Sequence, residues 1–488
     1  MSSHAESEEK LAKLPPEAIW AERYEQIAAV IPHERLERYV PGGFHPVTLG
    51  DTFCDGRYTI CHKLGHGGYS TVWLARDHQE ERLVSIKIKQ AYISTEQLDE
   101  DPDVRALRML ETHYGKNKQI KPRRFAKMLH CFQHSGPNGT HNCIVTDLLG
   151  PSISQALKNF AELRVYLTFS NDKVWDSDKA WDDDAFPGAD EWTFQPKAIL
   201  RASQQLVEAL ADIHQGGIAH GDISTNNVVF TCNLALQDDE DFWGTIGKVV
   251  TAEFTGKEPQ SAHIPKRLVA SARWPGWVDN AWEDICLVDW GESFPTDETR
   301  SNLAQPADLR PPETYFISSF DYRHDLWRAG SVIYELFFQR WPFWGGFSRV
   351  EYIEALVEMV GPLPSKWHER WREMVEDDKR VKQTRPPKKS LDKCFEPRLN
   401  NLVAIFEASE CYSDYQQKDE EYQGMKSLLP VMKGLLRHEP DKRMSAQEAA
   451  SSIEWVDDWD GDGSQGGGSE EDGSKGLGSA DVGSNAEE

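Results

Sequence analysis

Two stretches of the chain carry carboxylates and an amide at spacings that suit metal-assisted chemistry on phosphate groups. His220-Gly221-Asp222 is followed by Asn227, five residues after the aspartate, and Asp289 follows the apolar run 285–288. In the pattern H-x-D-x-x-x-x-N, the aspartate takes or orients a hydroxyl proton and the asparagine holds magnesium. Magnesium is a hard cation that prefers such oxygen ligands. We therefore expect Asp222 to be catalytic, and Asn227 and Asp289 to bind the metal.

A glycine-rich stretch and a lysine upstream could hold the phosphates of a nucleotide. The string 65–72, Gly-His-Gly-Gly-Tyr-Ser-Thr-Val, lies between two β-type runs, where backbone N–H groups can approach phosphate oxygens. Lys87 ends Val-Ser-Ile-Lys, a near match to V-A-I-K. Lys89 points to the same face, and the motif spacing favours Lys87, which we expect to be catalytic together with Asp222. With ATP and magnesium as cofactors, the expected ATP-binding residues are Leu64, Gly65, Gly67, Gly68, Val72, Lys87, Asp147 and Leu149.

Three later patterns indicate a platform that supports these residues. Pro311-Pro312-Glu313 and the string 325–330, Asp-Leu-Trp-Arg-Ala-Gly, follow in that order, and Arg443 is expected to pair with Glu313. A glycine-rich hairpin is a weak signal alone, and the Asp-Trp-Gly string at 289–291 would alone be read as a turn, but the three later patterns discriminate. The occurrence of all these patterns in one order at plausible spacings makes chance a poor explanation.

The periodicity of the chain predicts the elements that position these residues. Residues 58–90 alternate as β-strands do, 197–215 form an amphipathic helix, and 325–338 form a buried helix. Residues 1–45 are expected to be a helical extension, because apolar residues recur there at helical spacing: Ile19, Tyr24, Ile27, Ile31 and Leu36.

The composition limits the classes of partner. The net charge is −26 and hydrophobic residues make up 39% of the chain, which allows a sizeable core but disfavours nucleic-acid binding. The eight cysteines are scattered without a C-x-x-C pair, and we find neither a secretory signal nor a membrane span. We expect a reduced, intracellular monomer, in the cytoplasm, the nucleus or both. Residues 457–488, rich in Gly, Ser and acid, are expected to be disordered.

The stretches around the glycine-rich loop resemble one family in detail. Residues 37–47 read Glu-Arg-Tyr-Val-Pro-Gly-Gly-Phe-His-Pro-Val, and 139–145 read Gly-Thr-His-Asn-Cys-Ile-Val. Together with Lys-Leu-Gly at 63–65 and Ser-Thr-Val-Trp-Leu-Ala at 70–75, they resemble the SR-protein kinases. Ile-Pro-Lys at 264–266 resembles the fungal branch. The resemblance covers about residues 37–456.

This resemblance implies an α+β fold with the two lobes of a eukaryotic protein kinase, a small β-rich N-lobe and a large helical C-lobe. The implied organisation is an N-terminal extension over 1–45, an N-lobe over 46–150, a C-lobe over 151–456 with a spacer at about 232–283, and the tail 457–488.

The resemblance also implies a serine/threonine kinase whose substrates are basic, Arg/Ser-rich proteins of the splicing machinery. Family members are typically active without phosphorylation of the activation loop. Two features agree with this: the segment from Asp289 to Glu313 is short, and Gly221 replaces an arginine that could bind a loop phosphate. An acidic chain attracts an arginine-rich peptide, and the Asp-rich residues 171–191 are a candidate contact.

Two positions depart from the family pattern. The helix after Lys87 should supply a glutamate partner, and the best alignment places Ala106 there; Glu100, Asp103 or Glu111 could substitute. Ser224 replaces the lysine that normally neutralises charge on the transferring phosphate, and the loss of one such group costs about 10²–10³ in rate.

These departures keep two alternatives open. The chain could be a catalytically weak scaffold that binds a basic partner through the same acidic groove. It could also be a small-molecule phosphotransferase, because His220-Gly221-Asp222 resembles the H-G-D of aminoglycoside kinases. Glu313, Asp325 and Arg443 argue against this last alternative, because they support a platform for a protein substrate.

Overall fold

A computed structural model describes ten ranges of the chain: 24–116, 123–160, 194–232, 240–255, 261–278, 283–301, 309–343, 348–378, 390–407 and 415–454. The expectations for residues 1–23, for the Asp-rich segment 171–191 and for the tail 457–488 lie outside these ranges. No helix in the described part of the chain combines the length and the apolar character needed to cross a membrane.

A six-stranded antiparallel sheet dominates the first half of the described chain. Its strands lie in the order β1-β2-β3-β4-β6-β5, and their bounds are Thr52–Phe53, Tyr58–His66, Ser70–Asp77, Arg82–Lys89, Met128–Gly136 and Gly139–Asp147 for β1 to β6. In β4, Val84, Ile86 and Ile88 pack into an apolar cluster on one face. Lys87 and Lys89 therefore point to the opposite face, because side chains alternate along a strand.

Helix α1 (Pro102–Lys116) packs against the face of the sheet that carries the lysines. Val104, Leu107 and Leu110 are buried in the main core together with Leu74 and Ile144 of the sheet. This apolar stripe packs the body of α1 against the sheet.

The second half of the described chain is mainly helical. The helix expected at 197–215 is α2 (Pro196–Gln215), with Pro196 as its first residue. The buried helix expected at 325–338 is α5 (Arg323–Phe338), and all its residues from the second onward are buried, as befits a central helix. Other helices of this half are α3 Glu240–Ile246, α4 Glu313–Phe316, α6 Arg349–Val360, α7 His368–Asp377, α8 Leu391–Glu407, α9 Tyr415–Leu435 and α10 Ala446–Ser452.

Two short antiparallel strand pairs frame the loop that contains Asp222. Strands β7 (Ile218–Ala219) and β8 (Val228–Phe230) flank the loop, and β8 pairs with β11 (Ile285–Leu287). Strand β7 pairs with β12 (Phe294–Pro295). Since Asp289 lies two residues after the end of β11, this pairing brings Asp289 beside the loop.

The expected N-terminal helix is wrong for the described part of that segment. Residues 24–45 contain two 3-10 turns, Ile27–Val30 and Leu36–Arg38, and no α-helix. Pro32 explains the break, because proline lacks the backbone donor and disfavours the helical conformation of the residue before it. Ile31, placed on the apolar stripe by the periodicity, is exposed.

The spacer expected at 232–283 is structured in its described parts. It contains α3 and an antiparallel hairpin of β9 (Thr251–Glu253) and β10 (Arg267–Val269). The hydroxyl of Tyr24 donates to the Pro265 carbonyl at 2.8 Å. The hairpin and the N-terminal segment form one apolar cluster: Tyr24, Val30, Leu36, Tyr39, Phe44, Ala252, Ile264, Leu268 and Ala270.

Candidate active site

The glycine-rich stretch forms the turn between β2 and β3. The N–H of Gly67 donates to the Ser70 carbonyl at 2.8 Å and closes this turn. Val72 lies opposite Gly65 on one side and opposite Lys87 on the other. The strands and their turn thus carry, next to Lys87, the predicted ATP-binding residues Leu64, Gly65, Gly67, Gly68 and Val72.

The two other predicted ATP-binding residues lie where the chain leaves the sheet. Asp147 is the last residue of β6, and Leu149 follows two residues later. The N–H of Gly150 donates to the Phe230 carbonyl at 2.8 Å. A Cβ on Gly150 would lie 2.9 Å from the Thr231 carbonyl oxygen. The connection after β6 can therefore approach β8 so closely only with glycine at position 150.

Lys87 lies between two carboxylates that come from distant parts of the chain. Its Nζ is 2.7 Å from Oδ1 of Asp103, in the first turn of α1, and 2.7 Å from Oδ1 of Asp289. Burial disfavours the ammonium, but the charges of both carboxylates raise the pKa of Lys87 above its ordinary value. A lysine that stays charged in a cleft is a ready partner for phosphate oxygens.

The acidic helix partner of Lys87 is Asp103, three residues before the position that the family alignment indicated. Ala106 occupies that position and is buried in the apolar core. Of the other acids considered from the sequence, Glu100 is exposed and Glu111 pairs with an arginine of the following segment. Of the three acids that could substitute for the glutamate, Asp103 is therefore the one that contacts Lys87.

Asp103 also contacts two further groups. Its Oδ1 accepts the backbone N–H of Trp290 at 2.9 Å, and its Oδ2 accepts from Nζ of Lys89 at 3.0 Å. Burial alone would raise its pKa, but the charges of Lys87 and Lys89 hold the pKa of Asp103 well below its usual range. One carboxylate thus joins β4, α1 and the turn that follows β11.

The predicted base and the predicted metal ligands lie on the neighbouring loops. Nδ2 of Asn227 donates to the backbone carbonyl and to Oδ2 of Asp222, both at 2.8 Å. Because the amide nitrogen uses both acceptors, Oδ1 of Asn227 faces away from Asp222 and is suited to bind a cation. The N–H of Val288 donates to the Asn227 carbonyl at 3.0 Å. This contact holds Asn227 beside Val288, the residue that precedes Asp289.

Helix α5 fixes the start of the loop that contains Asp222. The carboxylate of Asp325 accepts the backbone N–H of His220 at 2.8 Å and of Gly221 at 2.9 Å. Nε2 of His214 lies 2.9 Å from the same carboxylate. Burial opposes the charge, but hydrogen bonds from His214 and His324 hold the pKa of Asp325 below its usual range. The loop is therefore anchored by a carboxylate that is charged at neutral pH.

Gly221 has a steric role that no local sequence pattern indicates. Its φ is +81°, and a Cβ would lie 2.3 Å from the carbonyl oxygen of Glu292. Only glycine fits this left-handed, crowded position. This backbone conformation therefore excludes an arginine at position 221.

The middle of the loop is held by α5 without a lysine. Nε of Arg328 donates to the Ile223 carbonyl at 2.7 Å, and Oγ1 of Thr225 donates to Oε2 of Glu335 at 2.9 Å. Ser224, between these two contacts, is buried. The backbone of the loop is well supported, but position 224 offers no cation to a phosphate.

The pair expected between Glu313 and Arg443 forms. Nη1 and Nη2 of Arg443 lie 2.8 and 2.5 Å from the two carboxylate oxygens of Glu313, and both side chains are buried. Such a two-point contact fixes orientation as well as distance. It ties α4 to the chain that follows α9.

No protein-family model matches the chain. A serine/threonine protein kinase of Aspergillus fumigatus is 25% identical over 428 residues, which cover 86% of this chain and 90% of that protein. Protein kinase dsk1 of Schizosaccharomyces pombe is 34% identical over 127 residues, 26% of this chain and 23% of that protein. Human SRSF protein kinase 3 is 40% identical over 114 residues, 23% of this chain and 19% of that protein.

The long match and the architecture agree with each other. An antiparallel sheet followed by a helical region is the architecture of a protein kinase, so the expected fold is confirmed. The small-molecule alternative is set aside, because a relative that matches 86% of the chain is a serine/threonine protein kinase. Protein kinases in general use ATP and magnesium. The chain is a serine/threonine protein kinase that is distantly similar, over part of its length, to the SRPK family kinases.

Proposed function

We propose that this kinase transfers the γ-phosphoryl group of ATP to serine or threonine hydroxyls in Arg/Ser-rich proteins. One observation carries the proposal: Nζ of Lys87 contacts both Asp103 and Asp289 at 2.7 Å. This contact brings a phosphate-binding cation and a magnesium-binding carboxylate to one point of the cleft.

Each residue of the site has a distinct part in this proposal. Asp222 orients the substrate hydroxyl toward the γ-phosphorus and takes its proton as the new P–O bond forms. Lys87 binds oxygens of the α- and β-phosphates and so holds the leaving ADP in place. The N–H groups of the turn between β2 and β3 cover the phosphates, and the residues after β6 line the nucleotide base.

Asp289 and Asn227 are the residues that would hold magnesium. The φ of Asp289 is +67°, and its side chain is 46% exposed, so the carboxylate is accessible from the cleft. Within the described ranges no three His, Cys, Asp or Glu side chains form a self-contained metal site. Two protein ligands suit magnesium, because it keeps several waters and binds phosphate oxygens. When bound, the metal neutralises charge on those oxygens.

Charge and similarity support the substrate class. The chain has a net charge of −26, and the segment after Asp289 exposes Asp297 and Glu298. Carboxylates bind arginine through two parallel hydrogen bonds and attract basic peptides at long range. The similarity to SRSF protein kinase 3 points to the same class of substrate.

We further propose that the two lobes bind different ligands. We assign nucleotide binding mainly to an N-lobe over 46–150, and substrate binding to a C-lobe over 151–456 that contains the spacer 232–283. Substrates of the splicing machinery imply a cytoplasmic or nuclear location, and we propose that the kinase acts as a monomer.

A second candidate function is a scaffold that binds a basic partner with little turnover. Ser224 favours this candidate, because a lysine at this position would neutralise charge on the transferring phosphate. The loss of one preorganised donor of this kind costs about 10²–10³ in rate. Asp222, Asn227 and Asp289 are all present, which favours the enzyme.

Phosphate incorporation into matched peptides distinguishes the two functions. We would incubate the purified protein with magnesium-ATP and an Arg-Ser repeat, a Lys-Ser repeat of equal charge, or a Gly-Ser repeat. We expect incorporation that is fastest with the Arg-Ser peptide, because lysine cannot form the two-point contact with a carboxylate. Asp222→Asn keeps the shape of the site and should abolish incorporation.

The outcomes separate the substrate class from the activity. Equal rates with the arginine and lysine peptides would reject arginine recognition but keep a kinase for basic substrates. No incorporation into any peptide, from folded protein that still binds the Arg-Ser repeat, would favour the scaffold.

A further inference from the structure

Lys89 and Asp101 form a second buried ion pair beside Lys87, and the proposed reaction does not use it. Their side chains lie 2.9 Å apart and are 5% and 0% exposed. Nζ of Lys89 also lies 3.0 Å from Oδ2 of Asp103. A buried ion pair is weak evidence for stability, because desolvation offsets much of the attraction. A contribution to stability therefore does not by itself explain why this ion pair is buried beside Lys87.

Asp101 is the N-cap residue of α1. Its side chain accepts the N–H of Asp103 at 3.0 Å, and its carbonyl accepts the N–H of Arg105 at 2.9 Å. These are the two hydrogen bonds of a helix N-cap. The residue that pairs with Lys89 thus also fixes the first turn of α1, where Asp103 lies.

The central strands of the sheet complete this arrangement. Nδ2 of Asn142, on β6, donates to Oδ2 of Asp101 at 2.8 Å, and the side chain of Asn142 is fully buried. Nδ1 of His141 donates to the carbonyl of Lys89 at 2.8 Å. All four carboxylate oxygens of Asp101 and Asp103 therefore have donors, which leaves little freedom for either side chain.

We propose that Lys89 and Asp101 are positioning residues for the nucleotide lysine, acting through Asp103. Aspartate is one methylene shorter than the glutamate that the family pattern places at this helix. It reaches Lys87 only if the first turn of α1 lies against β4, and the Lys89–Asp101 pair provides that contact. This inference rests on the proposed function, because it assumes that Lys87 binds the nucleotide.

Removal of the lysine charge tests the proposal. We expect Lys89→Met to weaken binding of magnesium-ATP roughly 10- to 100-fold. Losses of this size are typical when a residue is removed that orients a binding side chain but does not itself contact the bound group. The KM for the peptide should stay within about twofold of wild type. The matched control is Arg108→Met, which breaks an exposed ion pair between α1 and Asp99; its affinity for magnesium-ATP should match wild type. Wild-type affinity in folded Lys89→Met protein would overturn the proposal.

A double variant separates positioning from charge balance. Lys89→Met/Asp101→Asn leaves no uncompensated charge at this pair, so we expect its melting temperature to recover toward wild type. A positioning role predicts that nucleotide affinity stays reduced, and recovery of the affinity as well would overturn the proposal. If Lys89→Met does not fold, the double variant carries the test.

An amide-exchange measurement is independent of activity. The N–H of Trp290 donates to Asp103, so its hydrogen exchange reports directly whether that carboxylate stays in place. We expect faster exchange at Trp290 in the nucleotide-free double variant and no change in Arg108→Met. Faster exchange without phosphate transfer by the wild type would count against the proposed function alone. Unchanged exchange would overturn this inference.

Discussion

Oδ1 of Asp103 lies 2.7 Å from Nζ of Lys87 and 2.9 Å from the backbone nitrogen of Trp290. One oxygen atom thus holds both the strand that carries the proposed nucleotide lysine and the turn that carries Asp289. Movement of α1 away from the sheet would break both contacts together. The position of α1 is therefore coupled to the geometry of the site.

Asp103→Asn tests this coupling. The substitution keeps the size of the side chain but removes the charge that faces Lys87 and Lys89. We expect kcat/KM for ATP to fall about 100-fold or more, because a misplacement of about 1 Å suffices for such a loss. Initial rates at varied ATP concentration measure it, and a rate within threefold of wild type would contradict the coupling.

Adding Ala106→Glu to Asp103→Asn tests the family alignment against the structure. Ala106 is buried among apolar side chains of the main core. A glutamate there would place a charge in the core, so we expect lower thermal stability and no rescue of kcat/KM. Rescue would show that position 106 can supply the partner of Lys87.

The stability of the kinase should depend on pH through Glu335. Burial, opposed by the charge of Arg328 and the hydrogen bond from Thr225, raises its pKa from 4.5 to about 7. The folded state therefore holds this proton more tightly. The stabilisation is fully present below about pH 4.5 and is lost as pH rises through 7. Glu335→Gln has no such proton to lose.

Chemical denaturation of Glu335→Gln and wild type between pH 5 and 8 checks this. We expect the difference in free energy of unfolding to move in favour of the variant as pH rises, by up to about 3 kcal/mol. A difference that is constant across this range would show that Glu335 does not titrate there.

The buried pair of Glu34 and Lys63 should stabilise the junction of the N-terminal segment with the sheet. Burial opposes ionisation of Glu34, but the charge of Lys63 and the hydrogen bonds that Glu34 accepts from Lys63 and Tyr39 lower its pKa to about 2. Glu34→Gln leaves the lysine charge buried and unpaired, so we expect a loss of about 3–5 kcal/mol. Lys433→Met, which breaks an exposed pair with Asp392, is the control and should cost at most about 1 kcal/mol. Equal losses in the two variants would contradict this account.

Ser224→Lys should raise the turnover of the kinase. If the missing cation limits phosphoryl transfer, kcat should rise about 10-fold or more, with little change in the KM for ATP. Ser224→Met adds similar bulk without charge and separates the two effects. An increase in the methionine variant, or none in the lysine variant, would show that the charge at position 224 is not limiting.

The sequence predicts the local parts of the site well. Lys87 and Asp289 can be recognised because each lies in a short motif of consecutive residues. The strands and helices around them follow clear periodicities. The partner of Lys87 is harder to predict, because it depends on how far α1 lies from β4. A signal was nevertheless present: Asp101-Pro102-Asp103 is a capped helix start that follows two lysines on one strand face.

The N-terminal segment and the spacer show the limits of periodicity. The spacing of apolar residues predicted a helix in the N-terminal segment, but Pro32 interrupts it. Tyr24 and Leu36 are instead buried in an apolar cluster with the spacer hairpin. The contact joins residues more than two hundred positions apart, and no local pattern encodes it.

The most direct test of the central claim is the transfer of labelled phosphate from ATP to an Arg-Ser repeat peptide. The account predicts measurable transfer by the wild type with magnesium, abolished by Asp222→Asn and strongly reduced by Asp103→Asn. The contradicting result is folded wild-type protein that binds magnesium-ATP and the peptide but transfers no phosphate.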